Sequence, residues 1–223
     1  MKRKEGKTMK VNEMIDHTNL KPMATEGDIE KLCLEAKENN FASVCINPCN
    51  IPMAKKLLEG SEVKVCTVIG FPLGANSVTI KAAETAEAYD MGCDEFDMVI
   101  NIGALKDGKY DYVRDEIAAV VAAAKGKCVK VIIETGLLTD EEKIVATKLS
   151  CEAGACFVKT STGVSSTGAT VHDVALMKAN VSEGVKVKAS GGIKTAEFAL
   201  ELVKAGADRL GTSSGIAIVD DIK

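Results

Sequence analysis

The sequence predicts a single-domain α/β fold, a closed (β/α)8 barrel of the TIM type, and three observations lead to this prediction. Short β-branched segments recur along the chain, segments with helical spacing lie between them, and turn residues separate the two. The predicted strands are 14–18, 43–47, 63–69, 94–100, 128–134, 156–160, 185–189 and 208–212. Strands that alternate with helices form parallel βαβ units. Eight such units in 223 residues fit a barrel better than the alternative, a doubly wound open sheet.

Residues that cap helices mark where the helices begin and end. Segment 28–38 places its apolar residues on one helix face. Thr25 with Asp28, and Thr139 with Glu142, predict capping boxes at two helix starts. The predicted helices stop at residues that suit the left-handed conformation, which are Asn40, Gly60, Gly92, Gly126, Gly154, Gly184 and Gly206.

Composition limits the classes of function. The 28 basic and 32 acidic residues are mixed along the chain, so no basic surface for nucleic acid is expected. No apolar run is long enough to cross a bilayer, and residues 1–10 are expected to be a disordered extension rather than a secretory signal. We therefore expect residues 11–223 to form a cytoplasmic barrel domain without a membrane partner.

The cysteines and histidines argue against a metal centre. Eight cysteines are scattered without a CxxC pair, which is typical of buried thiols in a reducing compartment. Two histidines, His17 and His172, cannot build a His-rich site, and we expect His172 on a helix surface. The sequence therefore predicts neither a metal ion nor another cofactor.

Polar residues interrupt four of the predicted strands. Lys159 lies in FVKTSTG, Lys188 in VKASGGIKT, Asp97 in EFDMVIN and Asp16 in IDHTNLKP. Active sites of (β/α)8 barrels lie at the C-terminal ends of the strands. A lysine nucleophile must be neutral, and a second ammonium nearby favours the neutral form. We predict Lys159 as that nucleophile, Lys188 as the second ammonium and Asp97 as the group that moves protons.

The same residue types also have a structural interpretation. A lone lysine on a strand usually lies on the surface or at the bottom of a barrel, and Lys64, Lys130 and Lys186 are expected to include such residues. Lys159 differs because it precedes a loop rich in threonine and glycine. Cys45, in SVCINP, is either a core thiol or a thiol near the mouth of the site.

Glycine-rich turns follow the last two strands. Gly191 and Gly192 follow the seventh strand, and the segment 211–215, GTSSG, follows the eighth. The loops after strands seven and eight form the phosphate site in many barrels of this type. The sequence therefore predicts that a phosphorylated small molecule binds there.

These motifs together resemble the deoxyribose-phosphate aldolases over residues 11–219. The segments IDHTNLKP, SVCINP, VIGFPLGAN, EFDMVIN, KVIIETG, FVKTSTG, VKASGGIKT and RLGTSSG follow one another in that family's order. The resemblance implies reversible, metal-free class I cleavage of 2-deoxy-D-ribose 5-phosphate to D-glyceraldehyde 3-phosphate and acetaldehyde. It also implies a homodimer or homotetramer.

The resemblance assigns roles residue by residue. Lys159 would form the Schiff base, Lys188 would perturb it, and Asp97 would relay protons. Asp16 and Thr162 would line the substrate pocket, with Cys45 near it. The implied phosphate residues are Gly163, Gly191, Gly192, Gly211, Ser213, Ser214 and Lys194. Val164 replaces an aromatic or basic residue of the family, which predicts a different affinity for phosphate.

Three alternatives remain open at this point. Another metal-free Schiff-base sugar-phosphate lyase or a transaldolase would share the reactive lysine. A metal-dependent aldolase or epimerase would be sensitive to chelators. A catalytically silent barrel would bind a sugar phosphate without cleaving it.

Overall fold

Eight parallel strands close into a barrel in the computed structural model, which describes residues 10–165 and 167–222. Each strand pairs with the next along the chain, and the eighth pairs with the first. The strands are β1 (Ile15–Asn19), β2 (Ser43–Ile46), β3 (Lys64–Ile69), β4 (Glu95–Val99), β5 (Cys128–Ile132), β6 (Phe157–Lys159), β7 (Lys186–Ser190) and β8 (Arg209–Thr212). The predicted barrel is confirmed. Apart from Lys10, the predicted extension lies outside the described residues.

The helices of the described ranges surround this barrel. They are α1 (Glu26–Glu38), α2 (Ile51–Leu57), α3 (Val78–Asp90), α4 (Ile102–Lys106), α5 (Tyr110–Ala123), α6 (Asp140–Glu152), α7 (Val171–Lys178), α8 (Ala196–Ala205) and α9 (Gly215–Ile222). None of these helices is long and apolar enough to span a membrane.

The predicted helix boundaries are present. Thr25 and Asp28 form a capping box at α1, and Thr139 and Glu142 form one at α6. The seven predicted left-handed residues, from Asn40 to Gly206, all have positive φ. Gly206, with φ of 115°, ends α8 as its C-cap.

Most of the apolar core lies between the barrel and the helices. Along β5, Val129 and Val131 belong to this core, and Lys130 between them points to the opposite face because side chains alternate along a strand. Inside the barrel, Cys45, Cys66 and Val68 form a small separate cluster. Much of the remaining interior carries charge, and this is where the candidate site lies.

Candidate active site

Strand register places charged residues side by side inside the barrel. Asp97 on β4 pairs with Lys130 on β5, and Lys159 on β6 pairs with Lys188 on β7. Lys188 in turn pairs with Arg209 on β8. Paired residues of parallel strands project to the same face, so these five side chains all enter the barrel interior.

Asp97 contacts three lysines. One of its oxygens, Oδ2, accepts hydrogen bonds from Lys159 Nζ at 2.8 Å and Lys188 Nζ at 2.7 Å. The other, Oδ1, accepts from Lys130 Nζ at 2.8 Å and from the Cys66 thiol at 3.2 Å. Burial alone would raise the pKa of Asp97, but the neighbouring lysines, Lys130 first, hold that pKa well below its usual range. Asp97 is therefore a carboxylate.

Asp16 binds the other side of Lys188. Its Oδ2 lies 2.5 Å from Lys188 Nζ, and its Oδ1 accepts from Arg209 at 2.6 Å and from Ser43 Oγ at 2.6 Å. Burial would raise the pKa of Asp16, but Lys188, Lys130 and Arg209 lower it. Asp16 lies beneath the cavity described below and does not line it.

Glu95 completes a closed ring of alternating charges. Its Oε2 lies 2.7 Å from Lys130 Nζ and 3.3 Å from Arg209 Nη1. The resulting charge ring consists, in order, of Asp16, Lys188, Asp97, Lys130, Glu95 and Arg209. Three carboxylates balance three cations in this ring, and Lys159 is attached to it from outside through Asp97.

The cations of the ring are held in their charged form. Burial would lower the pKa of Lys188, but Asp16 and Asp97 raise it above its ordinary value. Lys130 behaves in the same way, with Asp97 as the largest opposing influence. Lys159 is therefore the lysine of the cluster whose charge the ring does not balance.

A cavity of about 570 Å³ opens above Lys159 at the C-terminal end of the barrel. The Lys159 side chain is 4% exposed and lines this cavity, whereas those of Lys130 and Lys188 are fully buried below it. Seven further predicted site residues line it: Thr162, Gly163, Gly191, Gly192, Lys194, Gly211 and Ser213. Asp97, Lys188, Cys45 and Ser214 do not.

Cys45 lies in the barrel core. It is buried and packs with Cys66 and Val68, and a hydrogen bond with Cys66 lowers the pKa of its thiol. Cys45, Cys66 and Asp97 lie close enough to offer three metal ligands, but the Lys130 ammonium already contacts both the Cys66 sulfur and Asp97.

A second group of this kind lies on the outer helices. It consists of Asp140, His172 and Asp173, and Lys143 binds both of its carboxylates. His172 lies on the protein surface, as expected, and contacts Asp140 at 2.7 Å. Because a lysine ammonium already contacts both carboxylates, the arrangement resembles an ion-pair network between α6 and α7.

The set of three lysines that was expected to include surface residues does include them. Lys64 and Lys186 are exposed, whereas Lys130 is fully buried as a member of the charge ring. Lys21 and Lys31 also line the cavity and were not singled out from the sequence. Lys21 follows β1 within the motif IDHTNLKP, so its position after a strand end was a usable signal.

The chain matches the family model described as DeoC/LacD family aldolase over residues 11–220. It is 60% identical to deoxyribose-phosphate aldolase of Carboxydothermus hydrogenoformans over 217 residues, which cover 96% of this chain and 95% of the relative. It is also 60% identical to deoxyribose-phosphate aldolase of Enterococcus faecalis, with 95% and 96% of the two chains covered.

Solved structures agree with these relatives. A putative deoxyribose-phosphate aldolase from Coccidioides immitis superimposes with a TM-score of 0.94 at 44% identity, covering 96% of this chain and 85% of that one. The deoxyribose phosphate aldolase from Aeropyrum pernix, described as a tetramer, gives 0.89 at 35% identity, covering 95% and 90%.

Proposed function

The chain belongs to the DeoC/LacD family of aldolases, and we propose that Lys159 is the residue through which it acts. The enzyme is an aldehyde lyase that reversibly cleaves 2-deoxy-D-ribose 5-phosphate to D-glyceraldehyde 3-phosphate and acetaldehyde through a lysine Schiff base. One observation supports Lys159 most directly. Of the three lysines buried around Asp97, it is the one whose side chain lines the cavity.

The charge count supports the same assignment. With Lys159 neutral, the cluster contains three carboxylates and three cations, and with Lys159 protonated it carries an additional positive charge. An unbalanced charge in a low-dielectric interior is unfavourable. Lys188 and Lys130 are held protonated by their carboxylates, so Lys159 is the lysine of the cluster that remains to act as the nucleophile.

The chemistry then follows from a neutral amine. Lys159 attacks the C1 carbonyl of the open-chain sugar, and loss of water gives an iminium that withdraws electrons. The C3 hydroxyl loses its proton, the C2–C3 bond breaks, and an enamine of acetaldehyde remains on Lys159. Protonation of the enamine and hydrolysis release the product. Asp97, fixed 2.8 Å from Lys159 and 2.7 Å from Lys188, orients the amine and is the carboxylate through which protons move to and from it.

We assign the phosphate group to the glycine-rich wall of the cavity. Gly163, Gly191 and Gly192 bring backbone close to the cavity, and Lys194 and Ser213 add a cation and a hydroxyl. Ser214, at the start of α9, donates its backbone N–H to Thr212 Oγ1 at 2.9 Å, and Thr212 itself lines the cavity.

Oligomeric state and compartment belong to the same proposal. A tetrameric relative supports a homodimer or homotetramer for this chain, and light scattering at several protein concentrations tests it. Reduced cysteines support a cytoplasmic enzyme, because all eight are free in the structure.

A borohydride trap tests the catalytic assignment. The protein is incubated with acetaldehyde, reduced with and without EDTA, and mapped by peptide mass spectrometry. We expect an ethyl group on Lys159 that EDTA does not affect and that Lys159→Leu abolishes. Lys186→Leu is the matched control, because Lys186 is an exposed strand lysine. Labelling confined to surface lysines would contradict the proposal.

A further inference from the structure

Glu134 connects two loops at the mouth of the barrel. It follows β5, its backbone is left-handed with a φ of 55°, and it is 3% exposed to solvent. Residues other than glycine rarely adopt this backbone conformation, and where one does, the surrounding structure usually enforces it. The side chain does not line the cavity. Its position therefore calls for an explanation other than contact with substrate.

The Glu134 carboxylate accepts three hydrogen bonds from the loop after β6. Its Oε2 accepts from the backbone N–H of Thr162 at 3.2 Å and from the Thr162 hydroxyl at 2.5 Å. Its Oε1 accepts from Ser165 Oγ at 3.1 Å. The Thr162 hydroxyl, once it donates to Glu134, accepts from Val164 N–H at 3.2 Å. One buried carboxylate thus binds two residues of this loop directly and a third, Val164, through the Thr162 hydroxyl.

The same loop packs against the turn after β7. Ala169 N–H donates to the Gly191 carbonyl at 3.0 Å, and a Cβ on Gly168 would collide with that carbonyl. A Cβ on Gly163 would lie 3.6 Å from Gly191 Cα. Glu134 on the β5 side therefore determines, through the loop, where the wall formed by Gly163 and Gly191 stands.

Lys159 is held independently of this carboxylate. Its carbonyl accepts from Ile133 N–H at 3.0 Å, and its amine is bound to Asp97 at 2.8 Å. Loss of the Glu134 carboxylate would release the loop that lines the cavity and leave Lys159 in place. The two effects can therefore be separated by experiment.

We infer that Glu134 is a positioning residue that shapes the phosphate wall of the cavity and so sets the preference for phosphorylated over unphosphorylated sugars. This inference rests on the proposed function. Glutamine cannot accept all three hydrogen bonds, because its amide nitrogen is only a donor. Hydrogen bonds to charged groups are among the stronger ones in proteins.

The experiment compares Glu134→Gln with Glu142→Gln. Glu142 is the matched control because it also accepts a hydrogen bond from a threonine N–H, at 2.8 Å, but in the capping box of α6. For Glu134→Gln we expect KM for 2-deoxyribose 5-phosphate to rise about 10- to 100-fold. The kcat/KM for 2-deoxyribose and the rate of acetaldehyde trapping on Lys159 should stay within about threefold of the parent enzyme. Glu134→Asp keeps the negative charge, so its KM for 2-deoxyribose 5-phosphate should lie between those of Glu134→Gln and the parent enzyme.

Three results would decide against the inference. One is an unchanged KM in folded Glu134→Gln. Another is an equal loss of kcat/KM for both sugars together with an equal loss in the rate of trapping, which would indicate a general structural role. If Glu134→Gln does not fold, Ser165→Ala decides, because it removes one contact to the same carboxylate, and an unchanged KM there overturns the inference. Absence of trapping on Lys159 in the parent enzyme would instead refute the proposed function.

Discussion

Replacing Glu95 by glutamine removes one negative charge from the charge ring and leaves every residue that lines the cavity unchanged. Replacing Arg209 by methionine removes one positive charge from the same ring. Glu95→Gln gives the ring a net positive charge, which disfavours a further cation in contact with it, so the acidic limb of the pH profile of kcat/KM should move to lower pH. Arg209→Met gives it a net negative charge, and the limb should move to higher pH.

The structure sets the size of these shifts. The Lys159 amine lies 2.8 Å from Asp97, which lies 2.8 Å from the Lys130 ammonium. That ammonium lies 2.7 Å from the Glu95 carboxylate. Two charges about 10 Å apart interact by about 1.7 kcal/mol at an effective dielectric constant of about 20, which corresponds to about one pH unit.

The assay is release of glyceraldehyde 3-phosphate, measured as kcat/KM across pH, with thermal melts to confirm that each variant is folded at each pH. Both substitutions remove one partner of a buried ion pair and will lower the melting temperature. The double variant Glu95→Gln/Arg209→Met restores neutrality, so its acidic limb should return close to that of the parent enzyme. If the acidic limb of kcat/KM moved in the same direction in both single variants, or did not move in either, the charge-balance reasoning would be refuted.

Three further predictions concern other parts of the molecule. Iodoacetamide at neutral pH should modify Cys156 well before Cys33, as peptide mapping over time would show. A hydrogen bond with Cys128 lowers the pKa of exposed Cys156 to about 6, whereas burial raises the pKa of Cys33 to about 11. The lowered pKa of Asp97 contributes stability above its ordinary value of 3.8, and that contribution is lost as pH falls through the folded value, so melting temperatures of Asp97→Asn should depend less on pH between about pH 5 and 2. Gly168→Ala should raise KM for the phosphorylated sugar in steady-state assays, since its Cβ would collide with a backbone carbonyl, and an unchanged KM would contradict this.

The regular features of the fold could be predicted because each is local. β-branched segments, capping boxes and left-handed turn residues are each recognisable within a few consecutive residues, and they predicted the order of the strands and helices. Lys159 and Lys188 could be singled out because they end strands that precede glycine- and threonine-rich loops, and Asp97 because a carboxylate in a buried strand needs a partner. The structure brings these three together within 2.8 Å contacts.

Lys130 shows where local patterns stop being sufficient. It lies between two valines, and so does Lys186, yet the first is buried and the second exposed. Both pair with Phe157, one from each side. In a barrel the strands are tilted and staggered, so residues in one row of pairs lie at different heights along the axis. The position of a residue along the barrel axis depends on the register of all eight strands, and that register cannot be predicted from a single sequence.

The apolar core outside the sheet and the charge ring inside it have separate tasks. Much of the fold is stabilised by packing between strands and helices, to which the ring contributes little. A buried ion network is often no more stabilising than apolar residues of the same volume. Replacing the whole ring by well-packed aliphatic side chains should therefore give an inert barrel that melts at a higher temperature than the enzyme. The difference between the two melting temperatures would measure how much stability this protein sacrifices for catalysis, and it would show that the scaffold can be kept while its chemistry is exchanged.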